Sequence, residues 1–374
     1  MLRNPFPPAR TIYPEIIYNQ DDALNKFASA VTDILGAQPV RRSLAVIGGT
    51  GSGKSHFLRH CQYHFEALNR PFISVEFLAG TSSAAGLVKD ILLRADDLAK
   101  DGGDSDFLSA IVSRMENRDN IGPVRQTDLR GCLKSLFDAA QPNFRPADRD
   151  GRFTFDNLRE VGRRWLGGGA LTQTERKYLG VSTRLATATL MIRVMSELLS
   201  LARSSSVIEG VLLCIDEVEA LFTSGVPTAK IQGFLQDMRY LFDEAVGKES
   251  GYSLLVLSAS TQRGGRELGN YNYPLFQRLG FEVEAREELH SVGDLDEARD
   301  FVNVYIDHEH ERAKENGLGK KVSTTMARTL ITEDDLEDAF QKAIESRRGE
   351  TSAITQARLL EALYEIVERK RRSQ

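Results

Sequence analysis

The sequence predicts an α/β fold built on a parallel sheet, with helices added to it. Three observations predict it: a glycine-rich loop set between a strand-like run and a helix-like run, short apolar runs that end in polar residues, and long stretches of helical periodicity between them. A run apolar at every position suits a strand covered on both faces, which is the environment of a parallel sheet.

The loop is GGTGSGKSHF, Gly48 to Phe57. It holds Gly48, Gly53, Lys54 and Ser55 in the order G-x-x-x-x-G-K-S, with Thr50, Gly51 and Ser52 inside and His56 closing it. Glycines let the backbone curl so that successive N–H groups point at β- and γ-phosphates; Lys54 adds a charge there and the Ser55 hydroxyl suits Mg²⁺. The preceding RRSLAVIGG reads as a buried strand, Ser43 to Ile47, and KSHFLRHCQYHFEAL sets Phe57, Cys61 and His64 or Phe65 at helical spacing. His56, His60 and His64 recur every fourth residue. No carboxylate is interleaved, so a metal site is not expected there; DHEHER, around His308 and His310, reads as a solvated helix face.

PFISVEFL (Pro71 to Leu78) reads as the second strand. Far more chain follows than one crossover helix needs, so residues from about 102 to 204 are expected to be a helical insertion. GVLLCIDEVEAL (Gly210 to Leu221) is the next strand, ending in Asp216 and Glu217. Asp216 is placed to order the Mg²⁺ shell and Glu217 to polarise an attacking water as general base. Asp216 could also cap whatever follows the strand. YSLLVLSASTQRGG (Tyr252 to Gly265) is expected between those two strands, with Ser260 and Thr261, and less so Ser258, as polar groups at its tip. In YNYPLFQRLGFEVEAREEL, Arg278 ends a short helix before a strand expected at Phe281 to Val283, where it could reach a neighbour's γ-phosphate.

At 374 residues, 41% hydrophobic and 27% charged, the chain has the composition of a globular protein with room for one large or two modest domains. No apolar run approaches the ~18 residues of a membrane span, and MLRNPFPPAR has no signal-peptide core, so a cytoplasmic protein without membrane contact is expected. Cys61, Cys132 and Cys214 form no C-x-x-C pair and are expected to be reduced core residues. A net charge of -5 argues against a coat of positive charge for nucleic acid, though not against a local basic groove.

The order of phosphate loop, strand, D-E strand, polar-ended strand, arginine and helical tail resembles AAA+ ATPases, whose corresponding parts are Walker A, Walker B, sensor 1, arginine finger and lid. The resemblance implies an α/β nucleotide-binding domain over 1–285 and a helical lid over 286–374, with ATP and Mg²⁺ bound between them. It also implies a homo-oligomer, ring or filament, in which Arg278 acts in trans. From the late helix of ETSAITQARLLEALYEIVERK it suggests Arg358 as the lid arginine, with Arg347 and Arg348 close by. Nucleoside kinases have no need of Asp216-Glu217 so far downstream. The L-S-G-G-Q stretch of ABC ATPases and the N-K-x-D motif of GTPases are absent.

A narrower likeness lies in RRWLGGGALTQTERKYLGVSTRL followed by VLLCIDEVEAL. These stretches resemble the ATP-binding proteins of BREX-type phage-exclusion systems, near the initiator and origin-recognition branch of AAA+ proteins. RNPFPPARTIYPEIIYNQDDALNKF is similar to the opening segment of that branch, which implies Ile16, Ile17 and Tyr18 beside the adenine. The expectation is an ATPase acting on DNA, or with an effector protein, in anti-phage defence; a nucleotide-gated signalling switch and a transposition-type DNA-bound adaptor are the alternatives. Arg145, Arg149, Arg152, Arg163 and Arg164, with Arg369 to Arg372, could neutralise DNA phosphates. They read equally as solvated loops beside Asp148, Asp150 and Glu160.

Overall fold

The computed structural model describes residues 4–8, 11–79, 83–146, 151, 153–222, 227–245, 251–315, 331–345 and 356–373. Its apolar runs become β1 (Arg41–Ile47), β2 (Phe72–Leu78), β3 (Gly210–Asp216), β4 (Ser253–Ser260) and β5 (Arg286–Glu288). All pair in parallel, in the order β2-β3-β4-β1-β5. β4 therefore separates β1 from β3, as the sequence predicts. Ile47 lies opposite Ser260 and Leu78 opposite Asp216, so the carboxyl ends of these strands share one edge.

Alternation along each strand divides the core in two. Leu212 and Cys214 of β3, with Leu44 and Val46 of β1, meet α1 (Asp21–Ile34) and α2 (Lys54–Glu66) on one face. Val211, Leu213 and Ile215 meet the other face, which is covered by α3 (Ala84–Asp101), α8 (Ala188–Ser204), α9 (Thr228–Ala245), α10 (Gln262–Tyr271) and α11 (Tyr273–Arg278). Cys61, Cys132 and Cys214 are free and buried, and burial raises all three thiol pKa values, so they stay protonated as core residues.

Between β2 and β3 the chain forms more than a crossover. α3 packs on β2 and α8 packs back on α3, so these two belong to the layer over the sheet. Added to them are α4 (Phe107–Ser113), α5 (Thr127–Ala139), α6 (Phe155–Leu166) and α7 (Gln173–Leu179). Their apolar residues are continuous with the sheet's own core; Trp165 of α6 is fully buried, its indole N–H donating to Thr183 O at 2.9 Å. Gly131 of α5 approaches Gly180, the left-handed cap of α7 at φ 76°, so closely that a Cβ at 131 would overlap the Gly180 carbonyl.

A separate core joins the first residues to a late helical unit. Phe6 and Ile16 pack with Val292, α12 (Leu295–Glu315), α13 (Glu333–Glu345) and α14 (Gln356–Ser373). The architecture expected from the sequence, a parallel-sheet P-loop domain with added helices between β2 and β3 and a C-terminal helical unit, is the one the structure has. No helix among the described residues is long and apolar enough to cross a membrane.

Three expectations need correction. No strand forms over Phe281 to Val283: Gly280 turns the chain at φ 82° against the backbone of Ser43 to Ala45, Phe281 enters the core, and pairing with β1 begins only at Arg286. The DHEHER stretch of α12 is not a wholly solvated face, because His310 is 7% exposed, in the second core's wall. Arg163 and Arg164 are not held out toward a partner. Arg163 pairs with buried Asp96 at 2.5 Å and with Asp106 at 3.7 Å, while Arg164 pairs with Glu175. Arg149, Arg152, Arg347 and Arg348 lie outside the described residues.

Candidate functional site at the carboxyl edge of the sheet

The site begins where β1 ends. Gly48 N donates to Ser260 O at 3.3 Å, which fixes the loop's first residue to the tip of β4. Gly51 and Gly53 take φ values of 80° and 91°, a left-handed conformation that side chains resist, and this curls the chain into α2. A Cβ at Gly48 would run into the Ser52 hydroxyl, so the curl also needs glycine at its base. Lys54 Nζ donates to Gly48 O at 3.0 Å and Gly49 O at 2.8 Å. Lys54, Ser55 and His56 occupy the first turn of α2, whose N–H groups have no partner within the helix. Thr50 stands exposed on the loop's outer turn and Ser55 is half-buried.

Asp216 ends β3 and is only 4% exposed; its Oδ1 accepts from Glu217 N at 2.8 Å. Glu217 is exposed and takes φ 54°, one of four non-glycine residues among those described with positive φ. A 3-10 turn, Val218–Phe222, follows directly and carries a third acid, Glu219. Glu219 Oε2 accepts from Thr261 N at 3.1 Å and so ties the D-E strand's exit to the tip of β4. Burial lowers the Lys54 pKa, while Glu219, Asp216 and Glu217, in that order, oppose the shift through their negative charge. Lysine and the three acids thus share one field.

The three hydroxyls at the tip of β4 differ in their partners. Ser258 Oγ donates to Leu279 O at 2.8 Å. Thr261 caps α10, its Oγ1 accepting from Gly264 N at 3.1 Å. Ser260 is fully buried beside the Gly264 backbone, and its Oγ has no hydrogen-bond partner among the described residues.

Arg278 lies elsewhere. Its Nε and Nη2 contact Asp243 Oδ1 at 2.7 Å and its Nη1 donates to Pro274 O at 2.8 Å. Its own carbonyl accepts from Ser43 Oγ, near the amino end of β1, so it stands at the opposite end of the sheet from the chain's phosphate loop.

The opening segment and the late helices close over the loop from the other side. His56 Nε2 donates to Tyr13 O at 3.0 Å and His60 Nδ1 to Pro14 O at 2.7 Å; a carbonyl only accepts, so each ring nitrogen carries the proton. Burial lowers both pKa values, His60 to about 4. Ile16 is buried in the second core, Ile17 packs on the α1 and α2 side of the sheet, and Tyr18 meets Phe301 edge-on at 5.4 Å. The Tyr18 pKa is raised by burial, then by Glu297, Asp300 and Asp294.

Gln356, at the start of α14, stands against the loop. Gln356 is 8% exposed, a Cβ at Gly53 would lie 3.1 Å from its Oε1, and its Nε2 donates to His290 O at 3.2 Å. His290 also exchanges two hydrogen bonds with Gln20, at 2.9 and 3.1 Å. Arg358 is half-buried two residues further on. Sequence reasoning missed Glu219, Gln20 and Gln356; only Glu219 had a visible signal, as the third acid in DEVE.

In a comparison with solved structures, the Aeropyrum pernix ORC2 protein in its ADPNP-ADP complexes is similar at 11% identity and a TM-score of 0.45, over 96% of this chain and 70% of that one. The Aeropyrum pernix ORC1 protein in complex with DNA is similar at 14% identity and a TM-score of 0.37, over 94% of this chain and 66% of that one. Neither a family model nor a curated protein matches the sequence.

Proposed function

We propose that the chain binds MgATP at the carboxyl edge of its sheet and hydrolyses it to ADP and phosphate. One observation carries the proposal: the phosphate loop on β1 and the Asp216-Glu217 pair on β3 stand one strand apart, with Lys54 in the field of the acids between them. The donor set fits a nucleotide's phosphates, since a left-handed glycine, a helix N-terminus and a half-buried lysine converge there. Bound Mg²⁺ would neutralise developing phosphate charge, held by Ser55 and Asp216. Lys54 binds and orients the β- and γ-phosphates, while Glu217 takes the proton of the attacking water. Buried Ser260, Thr261 as the cap of α10, and Glu219 keep the tip of β4 in place beside them. Gln356, and Arg358 behind it, bring α14 to the same loop, and Tyr18 borders the base.

The test is a pair of variants. Lys54→Ala should weaken ATP binding, whereas Glu217→Gln should keep affinity and lower hydrolysis by ~10²-fold or more. Equal loss of binding in both would remove Glu217 from its role.

We further propose a homo-oligomer that acts on DNA or a DNA-bound partner in phage defence, on the sequence resemblance to BREX-type proteins. A nucleotide-gated switch controlling an effector protein is favoured by a specific observation: Arg163 and Arg164, candidates for phosphate contact, are engaged by the insertion's own carboxylates. Stimulation of hydrolysis by DNA supports the first reading; unchanged turnover and no binding at low salt support the second. For Arg278, mixing Arg278→Ala with Lys54→Ala subunits decides between roles. Restored activity marks an arginine that leaves Asp243 to complete a neighbour's site; a mixed oligomer that stays inactive marks a packing residue.

A further inference from the structure

Beside β5, on the α10 and α11 side, lies a cavity of about 580 Å³, inside the size range of small-molecule sites. Its floor is Ile47, the last residue of β1, and no residue of the phosphate loop from 48 to 55 lines it. One wall is a ladder of three rings: Tyr273 stacks on Phe276 with centroids 5.7 Å apart, and Phe276 on Phe281 at 5.9 Å. Phe281 is buried, whereas Tyr273 is 56% exposed and stands at the rim.

Two arginines line the same cavity, Arg266 from α10 and Arg286 from β5. The alternation of β5 explains the second. Glu287 turns to the opposite face, where Lys26 holds it at 2.6 Å, and so Arg286 and Glu288 share the cavity side. Glu288 makes no ion pair with either arginine among the described residues; it accepts from Gln262 Nε2 at 3.0 Å, and the cavity lining holds two positive charges against its one negative. Neither guanidinium has a hydrogen bond or ion pair among the described residues, and the Asn270 amide beside them has none either. In a chain of net charge -5, two unpaired guanidinium groups lining one cavity are a local reversal of sign.

The chemistry points to a ligand with an anionic group and a flat ring. Guanidinium forks match phosphate oxygens two at a time, exposed tyrosine and phenylalanine faces stack on a base, and an amide reads its edge. We propose that this cavity is a second nucleotide-binding site, independent of the phosphate loop, which takes one nucleoside monophosphate unit. The unit comes either from a free mononucleotide or from a single strand laid across the rim; both present the same base and phosphate.

The probes are AMP and a short oligo(dA), titrated calorimetrically into the full chain with and without saturating ADP. A monophosphate lacks the β- and γ-phosphates that the loop grips, so AMP binding that survives ADP reports the second site. Expected is AMP binding undiminished by ADP and weakened at least about tenfold in the Arg266→Gln, Arg286→Gln double variant, which is roughly the value of one good charged contact. Tyr273→Ser, at the exposed rim, should weaken it separately. Oligo(dA) that binds tighter and displaces AMP assigns the site to a strand; oligo(dA) that binds no tighter assigns it to the free nucleotide. Inorganic phosphate displacing AMP at equal concentration, AMP binding abolished by ADP, or binding unchanged in both variants would overturn the proposal. Failure of ADP to bind leaves this test intact, because the arm without ADP still reads the cavity.

Discussion

Glu217 concentrates the tension between stability and chemistry in one backbone angle. An L-residue held near φ 54° costs about 1–2 kcal/mol relative to glycine. The turn is imposed because β3 must end while Asp216 stays buried and the 3-10 turn begins at once. Glu217→Gly should therefore raise the unfolding free energy in urea by about 1 kcal/mol while abolishing hydrolysis, a gain in stability that a residue kept for packing alone would not show. The neighbouring arginines of α6 make the opposite point about reading charge from sequence. Arg163 serves buried Asp96, so Arg163→Ala should cost about 3 kcal/mol by leaving that carboxylate unpaired. Arg164 serves partly exposed Glu175, and Arg164→Ala should cost less than about 1 kcal/mol in the same urea titration. Adjacent letters of one type were legible as a basic pair, but which of them met a buried acid 67 residues away was not.

Strands and loop were the readable elements, because their signals are local. The glycines of the phosphate loop, the apolar run of β3 and the acids after it need no partner to be recognised. β5 was misplaced by a few residues, since a three-residue edge strand carries almost no pattern, and Phe281 was apolar for the core rather than for a sheet. Helix packing in the insertion was invisible for the same reason. Gly131 looks like a helix-weakening residue in DLRGCLKSLF, yet its missing side chain lets α5 meet the end of α7. Gly131→Ala should lower stability by about 1–3 kcal/mol, the range for overpacking, instead of the gain alanine gives within a helix; thermal unfolding with ADP binding as a folding control checks it.

Across the molecule, the two cores meet over a belt of polar contacts: His56 and His60 on the backbone of residues 13 and 14, and Gln20 and Gln356 on His290. None of these had a motif, because each joins segments far apart in the chain. The belt also sets a pH dependence. His60 is held neutral, its pKa drawn down from 6.5 to about 4 by burial, so between those values the unfolded chain binds more protons than the folded one. The stabilisation is complete above pH 6.5 and is lost as pH falls toward 4; urea midpoints measured across this window should drop, and drop less in His60→Gln. The second core has a consequence in time. Asn4 bonds Tyr364 O at 3.2 Å, 360 positions away, and Phe6 lies 6.1 Å from the ring of Tyr305. A ribosome releases Phe6 long before it has made α14, so the emerging chain must carry an unplaced apolar segment until that helix follows. The sheet domain can close first, and the segment around Phe6 is then buried only after it, once a helix translated about 360 positions later has arrived.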